Sequence, residues 1–531
     1  MKQKDIILQK KTSLAIEFGS TRIKAVLIDL DGNVLATGFH DWENSLIDGI
    51  WTYSIEEIRK GLQDCYHSLK KDVYDRYGII PNSYGVMGIS AMMHGYMAFD
   101  KEGVLLSPFQ TWRNSNTEKA ADALTELFDF NIPLRWTIAH LYQCVLDQEE
   151  HLSKVDFVTT LDSYLHFLLT GEKMAGIGSA SGIFPIDSDT HDYDQRMVEQ
   201  FDSLIEGEGY SWKLRDVLPK VLVAGQLAGF LTEEGAKLID PSGDLQPGIP
   251  FVPSEGDAGT GMVATNSVAP RTGNVSAGTS MFAMLVLEKK LSKLYREIDM
   301  VTTPDGYPVA MSHANNGTSD LNAWVKIFQE FSELSGKKLN MGEVFELLYR
   351  HSLNGDADCG GLLSYGYYSG EGITHLNEGR PLFARTPDAH FSLANFMRSH
   401  LYTSLGAVKL GMDILLKEEK VTVDRITGHG GLFKTKGVAQ RYLSASVSAP
   451  VTVMDTASEG GPWGMALLGA YMLTKEEDET LSEYLDRKIF AHQESQTLNA
   501  LKEEVEGFEI FMDHYRKGLE TEKAAISSMD W

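Results

Sequence analysis

The chain has 531 residues, 43% of them hydrophobic and 23% charged, and a formal net charge of −26. This length is too great for one hydrophobic core and predicts two large domains or a pair of related lobes, while the ordinary apolar fraction excludes disorder along the whole chain. The negative field disfavours nucleic acid and anionic membrane surfaces as partners, but it does not exclude a phosphate-bearing small molecule, because local backbone amides bind phosphate whatever the net charge.

The three cysteines, Cys65, Cys144 and Cys359, yield neither a zinc spacing nor a disulfide framework. They suit a reducing, cytoplasmic compartment. Residues 1–11 are lysine-rich and are followed by no long apolar core, so they do not read as a signal peptide. No run of some twenty apolar residues predicts a membrane span.

Residues 13–38 predict three short strands, with turns at Phe18-Gly19-Ser20-Thr21 and Asp29-Leu30-Asp31-Gly32-Asn33. Ser54 with Glu57 three positions on is a capping box that opens a helix over 54–72. Apolar runs predict strands at 86–90, 157–160 and 249–253. Asp100-Lys101-Glu102-Gly103 predicts a hairpin turn. After about residue 268 the pattern restarts, with a glycine- and hydroxyl-rich turn in 273–280 between β-prone stretches. Leu393, Met397, Leu401, Leu405, Val408 and Met412 fall three or four apart and predict an amphipathic helix over 392–417. Ile426-Thr427 ends a strand and enters the turn Gly428-His429-Gly430-Gly431. Residues 451–454 predict a strand, and Glu459-Gly460-Gly461-Pro462 opens an apolar helix to about Leu473. Each half thus begins with strands around a glycine-hydroxyl turn and then alternates helices with strands. This is α/β organisation, duplicated in topology rather than in letters.

Several of these segments carry chemistry. In Glu17-Phe18-Gly19-Ser20-Thr21-Arg22-Ile23-Lys24 the turn offers free N–H groups and hydroxyls to phosphate oxygens, and the carboxylate before it can hold magnesium. Gly278-Thr279-Ser280 repeats the turn chemistry in the second half. In Ser254-Glu255-Gly256-Asp257-Ala258 small residues surround an aspartate at the start of a helix, where the macrodipole favours its ionised form and it can take a proton from an attacking alcohol. Gly430 and Gly431 allow the close approach of a flat ligand such as adenine. Met93-His94-Gly95 and Trp112-Arg113-Asn114 combine apolar surface with hydrogen-bonding groups, as a sugar requires. Taken singly, each has a plain structural alternative: a hairpin, a helix cap, a βα turn or a core histidine. The P-loop, the dinucleotide fingerprint, H-E-x-x-H and G-x-S-x-G do not occur.

In their order, these segments resemble the FGGY family of carbohydrate kinases, within the actin-like ATPase superfamily, from about Ser13 to about Leu473. Glu17 to Lys24 resembles the first phosphate motif, Gly278-Thr279-Ser280 the second, and Gly430-Gly431 the adenosine motif. Met93-His94-Gly95 is similar to the sugar-contacting segment of xylulokinase-like members, and Trp112 with Arg113 and Asn114 to their tryptophan and polar sugar ligands. Tyr164-Leu165, Leu169-Thr170-Gly171, Ala180-Ser181-Gly182 and Tyr368-Ser369-Gly370-Glu371 also match family runs. The resemblance implies two actin-like, ribonuclease H-like lobes, each a mixed sheet flanked by helices, with a cleft between them. Residues 1–266 would form the sugar-binding lobe with the first phosphate motif, and 267–531 the lobe with the second phosphate and adenosine motifs. It implies ATP and Mg2+, a small-molecule sugar substrate, Asp257 as general base and substrate ligand, Glu17 as metal ligand, and a homodimer. Phosphates would lie on Gly19, Ser20, Thr21, Lys24, Gly278, Thr279 and Ser280.

Three positions depart from the family pattern. Glu17 stands where Asp is usual, one methylene longer. Met92 stands where xylulokinases commonly have Gln, and Asn114 where Asp is frequent; both bear on sugar choice. The expectation is a ketopentose, L-ribulose or D-xylulose first. The rival readings are an actin-like ATP-binding regulator without phosphotransfer, which has no need of a carboxylate at Asp257, and a nucleotide-free sugar-binding protein, against which two phosphate-type turns argue.

Overall fold

The computed structural model describes residues 2–454 and 460–529. The chain forms two compact units. The first comprises Met1–Ala269, Met300–Val309 and Ser458–Gln493; the second comprises Pro270–Asp299, Ala310–Ala457 and Glu494–Trp531. A single cut between 266 and 267 does not describe these units, because 300–309 and 458–493 return to the first.

In the first unit, strands Thr12–Phe18, Arg22–Asp29, Val34–Asp41, Val86–Ala91 and Glu255–Gly256 form a five-stranded sheet. Their order is 255–256, 86–91, 12–18, 22–29, 34–41. Strand 12–18 runs antiparallel to 22–29 and parallel to 86–91, which is parallel to 255–256. Side chains alternate between the faces. Leu14, Ile16, Ile23 and Leu27 share one buried cluster with Leu62 and Leu69 of helix Ile55–Tyr77. That helix lies so close that a Cβ on Gly38 would meet the Cys65 carbonyl and the Leu69 nitrogen. Its start follows the capping box: Ser54 Oγ accepts the Glu57 N–H at 3.1 Å, and Glu57 accepts the Ser54 N–H at 2.8 Å. The opposite face, which carries Ser13 and Glu17, is covered by the apolar helix Gly460–Thr474, whose Gly469 leaves no room for a Cβ against Ser13. Trp463, Met465, Leu467 and Leu468 of that helix are buried, each worth about 1.5–3 kcal/mol against exposure. This burial accounts for the return of the late segment to the first unit. Glu459, expected to open the helix, lies outside the described residues.

The apolar run 249–253 does not form a ladder strand. Met87 N–H donates to the Pro250 carbonyl at 2.9 Å and Val252 N–H to the Met87 carbonyl at 3.0 Å. Pro250 and Pro253 have no N–H to give, so regular pairing begins only at Glu255. The turn at Asp100 closes through Gly103 N–H to the Asp100 carbonyl at 3.0 Å, and the chain pairs across it, Asp100 N–H donating to the Val104 carbonyl at 3.1 Å and Leu106 N–H to the Ala98 carbonyl at 2.8 Å, while strand Met97–Phe99 also pairs with Phe157–Thr159.

The second unit carries most of a seven-stranded sheet, in the order 299–302, 308–314, 281–286, 272–277, 425–430, 451–454, 495–498. Strand Thr272–Ala277 is antiparallel to Met281–Val286 and parallel to Arg425–Gly430. The antiparallel pair with a later parallel neighbour therefore occurs once per unit, the expected duplication of topology. Helix Leu393–Asp413 is buried along almost its whole length and continues as a π turn to Glu418. Strand 425–430 runs through Gly428 and His429 to Gly430 instead of turning after Thr427, because parallel pairing with Val275, Ser276 and Ala277 continues that far. Among the described residues, no helix is long and apolar enough to cross a membrane.

Candidate functional site

The first turn, Gly19-Ser20-Thr21, closes with Gly19 N–H donating to the Arg22 carbonyl at 3.1 Å. Its own carbonyls are all occupied. The Trp42 indole N–H donates to Gly19 at 2.7 Å, the Tyr53 hydroxyl to Ser20 at 2.6 Å, and the Trp42 backbone N–H to Thr21 at 3.2 Å. Trp42 and Tyr53 stack with ring centroids 4.0 Å apart. The backbone N–H groups of Ser20 and Thr21 have no acceptor among the described residues. A turn with satisfied carbonyls and open amides is an anion-binding concavity.

Behind this turn, Glu17 lies opposite Lys24 on one neighbouring strand and Ser90 on the other. A Cβ on Gly461, in the first turn of helix 460–474, would collide with Glu17 Oε2. That oxygen is buried with no hydrogen-bond partner among the described residues. Burial and then the charge of Asp257 push the Glu17 pKa up to about 8, while Lys24 and the Ser90 hydroxyl pull it down. An unfilled carboxylate oxygen beside a second carboxylate suits a hard cation, so these residues fit Mg2+.

Asp257 is the first residue of helix Asp257–Ala264, and the Met93 N–H donates to its Oδ1 at 3.1 Å. Water reaches the Asp257 carboxyl, yet enough protein surrounds it that desolvation pushes its pKa up to about 6, against the pull of the Met93 N–H. The group is therefore mostly ionised at pH 7. A Cβ on Gly256 would strike the Met93 side chain, and one on Gly182 would meet His94 Nδ1 at 2.7 Å. The glycines of Ala180-Ser181-Gly182 and Gly256-Asp257-Ala258 thus make the space that Met93 and His94 fill. His94 is buried, with its ring 6.3 Å from Trp136 in a stacked pair.

Trp112 joins this group: its indole N–H donates to Ser20 Oγ at 3.1 Å, and its ring is partly exposed. Arg113 lies over the Trp51 ring at 4.1 Å and donates to Asn44. Asn114 does not face a ligand. Its buried amide bonds both backbone groups of Trp51 at 2.9 Å and donates to the Thr111 carbonyl, so it clamps strand Ile50–Thr52. The first unit therefore brings together Glu17, Ser20, Lys24, Met93, Trp112 and Asp257, and turns Asn114 away.

In the second unit, Gly278-Thr279-Ser280 links strands 272–277 and 281–286. The Gly278 carbonyl accepts the Thr318 N–H at 3.0 Å and its hydroxyl at 2.9 Å; the Thr279 carbonyl accepts the Gly317 N–H at 2.7 Å. The Thr279 and Ser280 amides have no acceptor among the described residues. Gly430 sits beside Ala277 with φ 101°, and a Cβ there would collide with the Ala277 carbonyl, so this position demands glycine. A Cβ on Gly431 would meet nothing within 4 Å. Phosphate turn and glycine pair are thus adjacent, with open space over Gly431.

Two supports were not legible as such in the sequence. Glu255, fully buried, accepts the Gly178 and Ser179 N–H groups at 3.3 and 3.0 Å, and its pKa is pushed up to about 8 by burial and then by the charge of Asp162. Asp162 accepts from the hydroxyls of Thr160, Ser179 and Ser254. This acidic knot lies directly before Asp257 in the chain. In the second unit, Glu371 accepts the backbone N–H of Asn316 at 3.2 Å and its amide at 3.2 Å, holding the 315–318 loop that crosses the second turn. The run Tyr368-Ser369-Gly370-Glu371 pointed to the segment, but not to the part Glu371 plays as its anchor.

Comparison with known proteins gives the same outline. Residues 12–264 match the N-terminal domain of the FGGY family of carbohydrate kinases, and 273–473 match its C-terminal domain. An autoinducer-2 kinase of Escherichia coli is 22% identical over 281 residues, covering 50% of this chain and 49% of that protein, so the chain spans about half the length of that curated relative. A xylulose kinase of Haemophilus influenzae is 20% identical over 524 residues, covering 94% of this chain and 99% of that one. The solved structure of a ligand-bound xylulose kinase from Lactobacillus acidophilus superposes with a TM-score of 0.77 at 15% identity, over 97% of this chain and 99% of that one. At that identity the likeness shows the fold alone, with a mixed sheet flanked by helices in each unit.

Proposed function

The chain belongs to the FGGY family of carbohydrate kinases, a phosphotransferase family, and from that premise we propose that it transfers the γ-phosphoryl group of ATP to a hydroxyl of a small sugar, a ketopentose such as L-ribulose or D-xylulose. One observation carries the reading: Asp257 stands at a helix N-terminus, its Oδ1 held by the Met93 N–H next to His94. Asp257 accepts the proton of the sugar hydroxyl as its oxygen attacks the γ-phosphorus. The bond to the β–γ bridging oxygen breaks, and ADP leaves with that electron pair.

The open amides of Ser20, Thr21, Thr279 and Ser280 hold phosphate oxygens, and Lys24 adds positive charge. Gly430 and Gly431 take the adenosine. Met93, His94, Trp112 and Arg113 take the sugar; Asn114 supports them through Trp51. Mg2+, held by Glu17, would neutralise charge on the transferring group. The carboxylate of Glu17 is one methylene longer than the aspartate usual in the family, and its unfilled Oε2 supports a ligand role at that length.

The test is ADP release from ATP and Mg2+ with a panel of ketoses, polyols and sugar acids. One ketopentose is expected to raise the rate well above the sugar-free background. A panel in which no sugar does so, while ATP still binds, would replace this account with that of a regulator that binds nucleotide without transfer.

A further inference from the structure

Cys144, Glu149 and His151 lie within eight residues of sequence, beside Tyr96. Helix Thr137–Leu146 presents Cys144 near its end. Gln148, with φ 54°, then reverses the chain, and Glu149 N–H donates back to the Cys144 carbonyl at 3.0 Å. A 3-10 helix, Glu150–Lys154, carries His151 and is pinned by the Trp212 indole N–H to the Leu152 carbonyl at 2.8 Å. The thiol sulfur, a Glu149 carboxylate oxygen and a His151 ring nitrogen all lie within 4.8 Å of one another.

We propose that these three side chains form a zinc site, separate from the kinase centre, with Cys144 Sγ, a Glu149 oxygen and His151 Nδ1 as ligands and water in the fourth position. The donor set argues for zinc: a thiolate and an imidazole are poor ligands for Mg2+ or Ca2+ and good ones for Zn2+. Tetrahedral zinc at normal bond lengths separates such ligands by about 3.4–3.6 Å. Glu149 Oε2 and His151 Nδ1 are already 3.0 Å apart, so closure needs only side-chain rotation. The charges of thiolate and carboxylate balance the dication.

The second nitrogen of the imidazole completes the case. His151 Nε2 faces the hydroxyl of the fully buried Tyr96 at 2.9 Å. A zinc-bound histidine donates its other N–H to a fixed partner in this way, which sets the ring tautomer. Cys144 is buried, while the Glu149 side chain is 42% exposed, so the site has a dry floor and one open side for the ion and its water. Counting cysteine spacings missed the site, since two of its ligands are not cysteine.

The test strips the full-length protein with a chelator and titrates it with Zn2+ against a chromophoric competitor, then with Co2+. One equivalent of zinc is expected to bind, and Co2+ is expected to show thiolate-to-metal charge-transfer absorption. Oxygen ligands around Glu17 cannot give that band, and Cys65 and Cys359 belong to no such group among the described residues. Cys144→Ser should abolish the band, and His151→Asn should weaken zinc at least about 100-fold. Tyr96→Phe should weaken it about 10-fold, as loss of an orienting partner does. A cobalt spectrum of the unsubstituted protein without the band overturns the proposal whether or not the variants fold. Zinc affinity unchanged in folded Cys144→Ser or His151→Asn also overturns it.

Discussion

The two glycine-hydroxyl turns share one design and differ in what braces them. In both, the carbonyls are occupied and the central amides are left open. In the first unit the bracing comes from large side chains, Trp42 and Tyr53, with Trp112 on the Ser20 hydroxyl. In the second it comes from the backbone of the 315–318 loop and the Thr318 hydroxyl, with Glu371 behind the loop. Among the described residues, the first turn alone has a carboxylate and a lysine directly behind it, Glu17 and Lys24. The comparison teaches that open amides in such a turn depend on occupying its carbonyls, whichever groups do it.

The largest expected effect removes that asymmetry. Glu17→Gln should lower kcat/KM by about 10²–10³, with the loss growing at low Mg2+ concentration. A loss of less than tenfold would mean that Glu17 is no more than a sheet residue. Next, Gly317→Val attacks the second brace. A Cβ there would meet the Gly278 carbonyl at 2.5 Å and the Thr279 carbonyl at 3.0 Å, so the loop should lift. We expect a KM for ATP at least about tenfold higher and a stability loss of about 2–3 kcal/mol, seen by steady-state kinetics and denaturant titration.

The third prediction concerns pH. Glu255 is fully buried with a pKa raised from 4.5 to about 8. The folded state then holds a proton that the unfolded state has released, so stability falls as pH rises from about 4.5 to about 8. Glu255→Gln should flatten this slope by an order of a few kcal/mol across that range, measured by denaturant midpoints at several pH values. Equal slopes in both proteins would show that Glu255 is not neutral when folded. The smallest effect is Trp42→Phe, which keeps the ring and loses the indole bond to Gly19. About 1 kcal/mol of stability and a few-fold rise in KM for ATP are expected; no change would leave the first turn braced by Tyr53 alone.

What the sequence disclosed was local. The capping box at Ser54 and Glu57, the period of helix 393–413, both turns and the place of Asp257 at a helix start depend on neighbours in the chain. The misread features depend on distant partners. Strand 425–430 runs on to Gly430 because strand 272–277 pairs it that far, and Asn114 turns inward because Trp51 offers it two backbone groups. The return of 458–493 to the first unit rests on burial of helix 460–474 against strands 12–18 and 22–29, more than 400 residues earlier in the chain. Glu255 and Glu371 stood in runs the sequence singled out, but their roles as buried anchors, with Asp162 beside Glu255, were hidden because a buried carboxylate carries no sequence mark.

The central claim is that Asp257 takes the proton in a phosphoryl transfer. The most direct test compares kcat and ADP affinity for the wild type and Asp257→Asn with the best sugar from the panel. The account predicts a fall in kcat of about 10²–10⁴ with ADP affinity kept within a few-fold, and a wild-type rate that rises with pH through about 6 as Asp257 ionises. An Asn variant that keeps kcat within tenfold of the wild type would contradict it.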